Sequence, residues 1–353
     1  MSQYIFLQIK EVIKETQDAV TIVFSKPTVI SSQYKSGQFL TLIMNIGGEK
    51  IRRSYSLSSS PFIDEDWAIT VKQVDGGKMS TYLVNNAIKG DIIETMVPMG
   101  IFTYEPVGQN TTPIVLIGAG SGITPLCSII GSTLSQEKNS KVYLIYGSRN
   151  EDSIILKAKL ENFKNEYPTR FYYINFFSQP KLQSLENSGR LSKSSITKLL
   201  TDFNILDFTK AHFFLCGPQG MMDEAYQALE IVKVPALNIR KESFFSATSQ
   251  ETSTETKPTT TEGAVNVSIK YNRQLYKVAV APGQTILEAA LKQDIDLPYS
   301  CQSGMCTACM GKCKSGEVEM EEPDGLSANE IKQGFVLTCV GRPLTEDVLI
   351  EIE

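Results

Sequence analysis

Five cysteines carry the clearest chemistry: Cys301, Cys306, Cys309 and Cys313 fall within CQSGMCTACMGKC, and Cys339 follows in VLTCVG. Taking Cys301, Cys306, Cys309 and Cys339 gives C-x4-C-x2-C and, after 29 intervening residues, a fourth thiol. One loop would then wrap a metal centre while a distant segment closes the cage, the ligand spacing of a 2Fe-2S cluster. The small residues between the ligands, Ser303, Gly304, Thr307 and Ala308, let backbone N–H groups approach the sulfides and stabilise the more negative, reduced cluster. Zinc on four cysteines is the rival. Zinc sites usually pair two C-x2-C knuckles, and only one such pair stands at the proper place. A register through Cys313 needs C-x3-C and leaves Cys301 idle, so Cys313 reads as a small non-ligand residue.

Two glycine-rich turns are the next candidates. In VDGGKMSTYL, Gly76 and Gly77 precede Met79, Ser80 and Thr81 at a helix start, where free backbone amides would bind a pyrophosphate. In IVLIGAGSGITP a strand leads into Gly118, Gly120 and Gly122, and Thr124 and Pro125 then begin a helix. Glycine permits close approach of backbone to phosphate, and the helix start favours the anion. The spacing departs from G-x-G-x-x-G, so no true Rossmann fingerprint is present. YGSRN places Ser148 and Arg149 after the following strand, where a cation would meet a 2′-phosphate and favour NADPH over NADH.

Composition narrows the chemistry. The chain has one histidine, His212, within the apolar run AHFFLCG, which reads as a strand-edge residue; mechanisms built on a histidine base or several histidine ligands are nearly excluded. Net charge is −5 and no Lys/Arg run occurs, which argues against nucleic acid as a partner. No apolar run approaches the ~18 residues of a membrane span. The first residues, MSQYIFLQIKEVIKE, carry acids where a signal peptide needs an unbroken apolar stretch, giving the expectation of a cytoplasmic protein. In a reducing compartment, seven cysteines point to metal ligation or redox chemistry rather than disulfides.

The elements that must position these residues fall into three parts. At 353 residues the chain is long enough for two or three cores. Residues 246–263, SATSQETSTETKPTTTEG, hold no large apolar side chain and read as a flexible linker. Residues 1–107 show alternating segments (AVTIVFS, QFLTLIM, WAITVKQV, DIIETMV) separated by Gly, Pro, Asp and Asn, the grain of an antiparallel β-barrel or sandwich. In 108–245, apolar runs (PIVLIGAG, KVYLIYGS, RFYYINFF, HFFLCGP) alternate with helical patterns, implying an α/β domain with a parallel sheet. Residues 264–353 open with a hairpin, VNVSIKYNRQLYKVAVAPG, then the helix TILEAALKQ and the cysteine loop.

On these motifs the chain resembles two known families joined end to end. Residues 264–353, with LPYSCQSGMCTACMGKC and GFVLTCV, resemble the plant-type ferredoxin domain, which implies a β-grasp fold and a 2Fe-2S cluster on Cys301, Cys306, Cys309 and Cys339. The segment RRSYSLSSS, with Arg53, Tyr55 and Ser56 in the order R-x-Y-S, resembles the flavin motif of the ferredoxin-NADP reductase superfamily. That resemblance implies Arg53 on flavin phosphate, Tyr55 along the isoalloxazine and ribityl, and Ser56 near flavin N5. CGPQGMM resembles the second signature, implying Cys216 and Gly217 beside the nicotinamide, and RKESFFSA implies Glu242 as the acid and Phe244 as an aromatic lid. Gln179, in FFSQP, stands where many NADPH-using relatives carry arginine, against the signal of Arg149. The domain order is similar to that of bacterial oxygenase reductases of the phenylacetyl-CoA oxygenase kind. It implies electron flow from NADPH or NADH through FAD and the cluster to an external acceptor protein such as an oxygenase. An FMN enzyme like phthalate dioxygenase reductase, or a ferredoxin or desaturase reductase with a different acceptor, is the alternative; a regulatory module with vestigial nucleotide domains and a zinc-stabilised binding protein are the readings from other classes.

Overall fold

A computed structural model of the chain describes residues 4–27, 34–181, 187–203, 205, 207–244 and 263–352. They divide into two compact units, Met1–Ser246 and Ala247–Glu353. The expected linker at 246–263 lies outside the described residues except for Gly263.

The first unit opens with β1 (Tyr4–Thr16), β2 (Ala19–Phe24), β3 (Phe39–Ile46), β4 (Glu49–Ser56), β5 (Trp67–Lys72), α1 (Lys78–Asn86) and β6 (Ile92–Met96). The strands form an antiparallel sheet in the order β4-β3-β6-β1-β2-β5. The long β1 pairs with β6 over Tyr4–Gln8 and with β2 from Ile9 onward, and its register shifts between Ile9 and Glu11 and between Lys14 and Thr16. Such irregularities bend a strand and let one strand serve two partners. A bridge between Leu57 and Ile69 joins the end of β4 to β5, so the sheet curls back on itself. Inward positions at alternate residues, Leu40 and Leu42 among them, meet Leu7, Ile22, Trp67 and Ile69 in its core.

The rest of this unit runs β7 (Ile114–Ala119), a 3-10 turn (Gly120–Gly122), α2 (Ile123–Gln136), β8 (Val142–Ser148), α3 (Lys157–Glu166), β9 (Phe171–Phe177), α4 (Lys193–Asp202), β10 (His212–Gly217), α5 (Gln219–Ile231) and β11 (Ile239–Ser243). The sheet is parallel throughout, in the order β11-β10-β7-β8-β9. Helices cover both faces, which is why Ile114–Ile117 is buried at every position instead of alternating. His212 opens β10, half-buried, its ring tilted against Tyr104. The strand order reverses between β7 and β10, where open α/β sheets bind ligands beyond their carboxyl ends. β11, which the sequence had offered only as the close of the domain, is a fifth parallel strand.

Barrel and sheet share one core: Ala19, Phe102 and Tyr104 pack with α2 and β7, β8 and β10. Polar contacts reinforce it. Ser60 shares a hydrogen bond with Ser132 of α2 at 2.8 Å. The buried Glu137 carboxylate accepts from the Tyr104 hydroxyl at 2.7 Å, Val107 N–H at 2.8 Å and Asn110 at 3.3 Å. Arg170 donates to the Glu137 and Leu134 carbonyls, closing the end of α2.

The second unit contains β12 (Val265–Tyr271), β13 (Gln274–Val280), α6 (Ile286–Lys292), β14 (Met310–Ser315), β15 (Val318–Met320), α7 (Ala328–Lys332), β16 (Phe335–Leu337), β17 (Gly341–Pro343) and β18 (Leu349–Ile352). Its main sheet has the order β13-β12-β18-β14-β16, with β12 and β18 parallel, and β15 pairs with β17 apart from it. Thr285 and Glu288 form a reciprocal capping box that starts α6. This is the expected β-grasp arrangement of hairpin, helix and mixed sheet.

Candidate functional site

The register of the parallel sheet places three sequence-predicted residues side by side: Gly118 on β7 faces Cys216 on β10, and Cys216 faces Glu242 on β11. From the barrel, the end of β4 brings Ser56, whose hydroxyl donates to Glu242 Oε2 at 3.0 Å across 186 residues of sequence. Burial pushes the Glu242 carboxyl up to about 8, against the smaller downward pull of the Ser56 hydrogen bond. Burial, and secondarily Glu242, also raises the Cys216 thiol well above its ordinary value. Burial thus shifts both carboxyl and thiol toward their neutral forms at the point where barrel and sheet meet. Phe244, just beyond β11, is partly buried against the shared core.

The other barrel candidates separate by depth. Arg53 and Tyr55 point from β4 on the side opposite the buried Arg52, and the exposed Arg53 guanidinium donates to the Arg52 carbonyl at 2.7 Å. Tyr55 is half-buried, and burial raises its phenol pKa. Helix α1 starts after Gly77 with no side-chain cap, so its end offers backbone donors. The side chains there are otherwise engaged. Met79 is 2% exposed and fills the barrel core, while Ser80 Oγ accepts from Val74 N–H and donates to the Gly77 carbonyl. Thr81 N–H already donates to the Gly77 carbonyl at 3.1 Å, one turn too deep to be an open donor.

The second glycine turn is pressed onto the end of β10. A Cβ on Gly122 would lie 2.0 Å from the Cys216 carbonyl oxygen, so only glycine allows this approach. Gly120 has φ +57°, the left-handed region that costs glycine little. Thr124 Oγ1 donates to the Ser121 carbonyl at 3.0 Å and Pro125 lies in the first turn of α2, where its missing N–H costs nothing. Gly217 follows Cys216 at the end of β10. Ser148 is buried at the end of β8, Arg149 is exposed beyond it, and Gln179 N–H donates to the Arg149 carbonyl at 2.7 Å, so the two residues with opposed implications for the nucleotide are neighbours.

Two residues at this turn were not singled out from sequence. Lys72, at the end of β5, brings Nζ to 3.9 Å from where a Gly120 Cβ would stand and lies 3.7 Å from Asp18. Tyr146 of β8 donates its hydroxyl to the Gly120 carbonyl at 2.7 Å. The available signals were slight: a lysine closing the alternation WAITVK, and one hydroxyl inside the apolar run VYLIYG.

In the second unit the loop before β14 and the turn after β16 bring the four predicted ligands together. Thiol–thiol contacts join Cys301 to Cys306 and Cys339, and Cys309 to Cys339. The N–H groups of Ser303 and Cys306 point at Cys301 Sγ, and that of Gly304 at Cys339 Sγ, each at 3.4 Å. Gly304 has φ +73°, and a Cβ there would meet the Glu322 carbonyl at 2.6 Å. Thr338 donates its N–H and its hydroxyl to the Cys309 carbonyl, tying the distant ligand segment to the loop. A cluster of four thiols with amides aimed at sulfur fits a dinuclear iron–sulfur cluster. Cys313 sits apart on β14, its thiol on the Ser315 carbonyl.

The chain is similar to known proteins along its whole length. Three family models match: an oxidoreductase FAD-binding domain at residues 6–104, an oxidoreductase NAD-binding domain at 116–227 and a 2Fe-2S iron-sulfur cluster binding domain at 269–344. A 1,2-phenylacetyl-CoA epoxidase component from Escherichia coli K12 is 35% identical over 100% of this chain and 99% of its own. The ferredoxin reductase component of 3-ketosteroid-9-alpha-monooxygenase from Rhodococcus rhodochrous is 33% identical over 99% and 97%. In structure, phthalate dioxygenase reductase superposes with a TM-score of 0.59 at 20% identity, covering 99% of this chain and 98% of that one. An intact type IV self-sufficient cytochrome P450 monooxygenase superposes with a TM-score of 0.71 at 16% identity, this chain spanning 41% of it. FAD, a pyridine nucleotide and a 2Fe-2S cluster are thus the cofactors, and the chain belongs to the family of flavin and 2Fe-2S oxygenase reductases.

Proposed function

We propose that this reductase takes electrons from NADPH and delivers them to the oxygenase component of a cytoplasmic system that epoxidises or hydroxylates an aryl-CoA substrate. The observation that carries the reading is the hydrogen bond from Ser56 to Glu242, which brings the barrel's flavin motif and the end of the nucleotide sheet to one point. The end-to-end match with the phenylacetyl-CoA epoxidase component supports the choice of acceptor. FAD, when bound, supplies the step between a two-electron donor and a one-electron acceptor.

The chain's own residues bind and orient. Arg53 and the start of α1 hold the flavin phosphates, Tyr55 and Phe244 flank its ring, and the Gly118–Gly122 turn with Lys72 holds the nucleotide pyrophosphate. Ser56, Cys216 and Glu242 would form a neutral floor for the two rings, since burial there disfavours a charge. Cys301, Cys306, Cys309 and Cys339 would hold the cluster, which supplies one-electron transfer.

No membrane-spanning helix occurs among the described residues. Arg149 with Ser148 favours the 2′-phosphate, so Arg149→Ala should raise the KM for NADPH and leave that for NADH unchanged. Equal effects would remove Arg149 from phosphate recognition. The acceptor is tested by adding the reductase to the purified oxygenase components of a phenylacetyl-CoA epoxidase: NADPH oxidation should require phenylacetyl-CoA and yield its oxygenated product. Reduction of cytochrome c without any product would sink this choice of acceptor.

A further inference from the structure

The hydroxyl of Tyr146 reaches the Gly120 carbonyl from beneath the glycine turn, inside the core. Tyr146 is among the largest fully buried side chains, and β8 sets it in register beside Gly118. Its hydroxyl donates to the Gly120 oxygen at 2.7 Å, and the Ile123 N–H donates to the same oxygen as α2 begins. Two donors on one carbonyl fix the plane of the peptide between Gly120 and Ser121. A trans peptide is flat, with C=O and N–H on opposite sides, so drawing the carbonyl into the core turns the Ser121 N–H away from it. The cost of that orientation falls on Gly120, whose φ of +57° no other common residue adopts as cheaply.

We propose that Tyr146 is a positioning residue for the pyridine nucleotide: by holding the Gly120 carbonyl inward it aims the Ser121 N–H at the dinucleotide pyrophosphate. The proposal rests on the reading of this glycine turn as the pyrophosphate site. A phenol buried to this degree stays protonated and remains a donor across the working pH range. Because the pyrophosphate is common to both nucleotides, Tyr146 has no part in choosing between them, unlike Arg149.

The test is a set of variants in the full-length holoprotein, with KM and kcat measured for NADPH and for NADH using ferricyanide as acceptor. Tyr146→Phe keeps the ring in the core and removes only the donor. It should raise both KM values by the same factor, roughly 3- to 30-fold for a lost buried hydrogen bond, with kcat changed by less than about twofold and FAD content retained. Gly120→Ala, which strains the turn but meets little else, should raise the same KM values. The double variant should raise them by clearly less than the product of the single effects, since both act through one peptide. If Gly120→Ala raises KM and Tyr146→Phe does not, the role of Tyr146 falls while the site stands. If Gly120→Ala changes neither KM, the reading of the turn itself is wrong. A Tyr146→Phe effect on NADPH alone, or one that only lowers the unfolding midpoint, also overturns the proposal.

Discussion

Replacing Glu242 by glutamine should flatten the pH dependence of stability in the first unit. Unfolded, the carboxyl ionises near its ordinary 4.5; folded, burial holds it at about 8. Between those values the unfolded chain releases a proton that the folded chain keeps. The stability contributed by the neutral carboxyl is therefore complete below pH 4.5 and lost as pH rises through about 8. At about 1.4 kcal/mol per pH unit the gap sets a ceiling of about 5 kcal/mol, and relaxation around an ionised Glu242 should leave a measured loss of about 2–3 kcal/mol. Glu242→Gln preserves shape and an acceptor for the Ser56 hydroxyl but cannot ionise. The assay is urea unfolding of the holoprotein from about pH 5 to about pH 9, read by the chain's one tryptophan, Trp67, which is buried in the barrel core. The wild-type protein should lose stability relative to the variant steadily above about pH 5. Parallel curves for the two proteins would show that Glu242 ionises normally in the folded state, and the neutral floor argued for the redox site would be wrong.

Cys216→Ala should slow flavin reduction by NADPH about 10- to 100-fold in stopped flow through misplacement of the nicotinamide, with FAD content near normal; loss of flavin instead would mark Cys216 as a packing residue. Arg53→Ala should do the reverse, weakening FAD binding roughly 10- to 100-fold on dialysis through loss of a charge-assisted phosphate contact. Cys306→Ser should abolish the visible absorbance of the cluster and cytochrome c reduction while ferricyanide reduction persists, whereas Cys313→Ser should keep both activities; cluster loss in Cys313→Ser would redraw the ligand set.

What was legible in the sequence was whatever is written locally. Cysteine spacing survives in the chain because one loop carries three ligands, and the change from alternating to continuous apolar runs marks where an antiparallel sheet gives way to a parallel one. Contacts between distant segments left no such trace. The Ser56–Glu242 bond joins residues that only a family resemblance had put together. The Glu137 clasp gathers Tyr104, Val107 and Asn110 from a connector whose composition looks like any loop. Met79, grouped with the phosphate turn by its place in sequence, belongs to the barrel core, because the first turn of a helix has an inner as well as an outer face. The strand β11 is short and polar at an edge of the sheet, too weak a pattern to show before its neighbour β10 is in place.

The core shared by barrel and parallel sheet has a practical consequence for anyone recombining such reductases. Ala19, Phe102 and Tyr104 complete a hydrophobic interior whose other walls belong to α2 and the parallel strands, and the Glu137 carboxylate would be stranded without its partners from the connector. A graft that exchanged the barrel alone would expose apolar surface on both pieces and leave an unpaired buried charge in one of them. The piece to transplant as a whole is therefore Met1–Ser246, one compact unit that holds the barrel and the parallel sheet together.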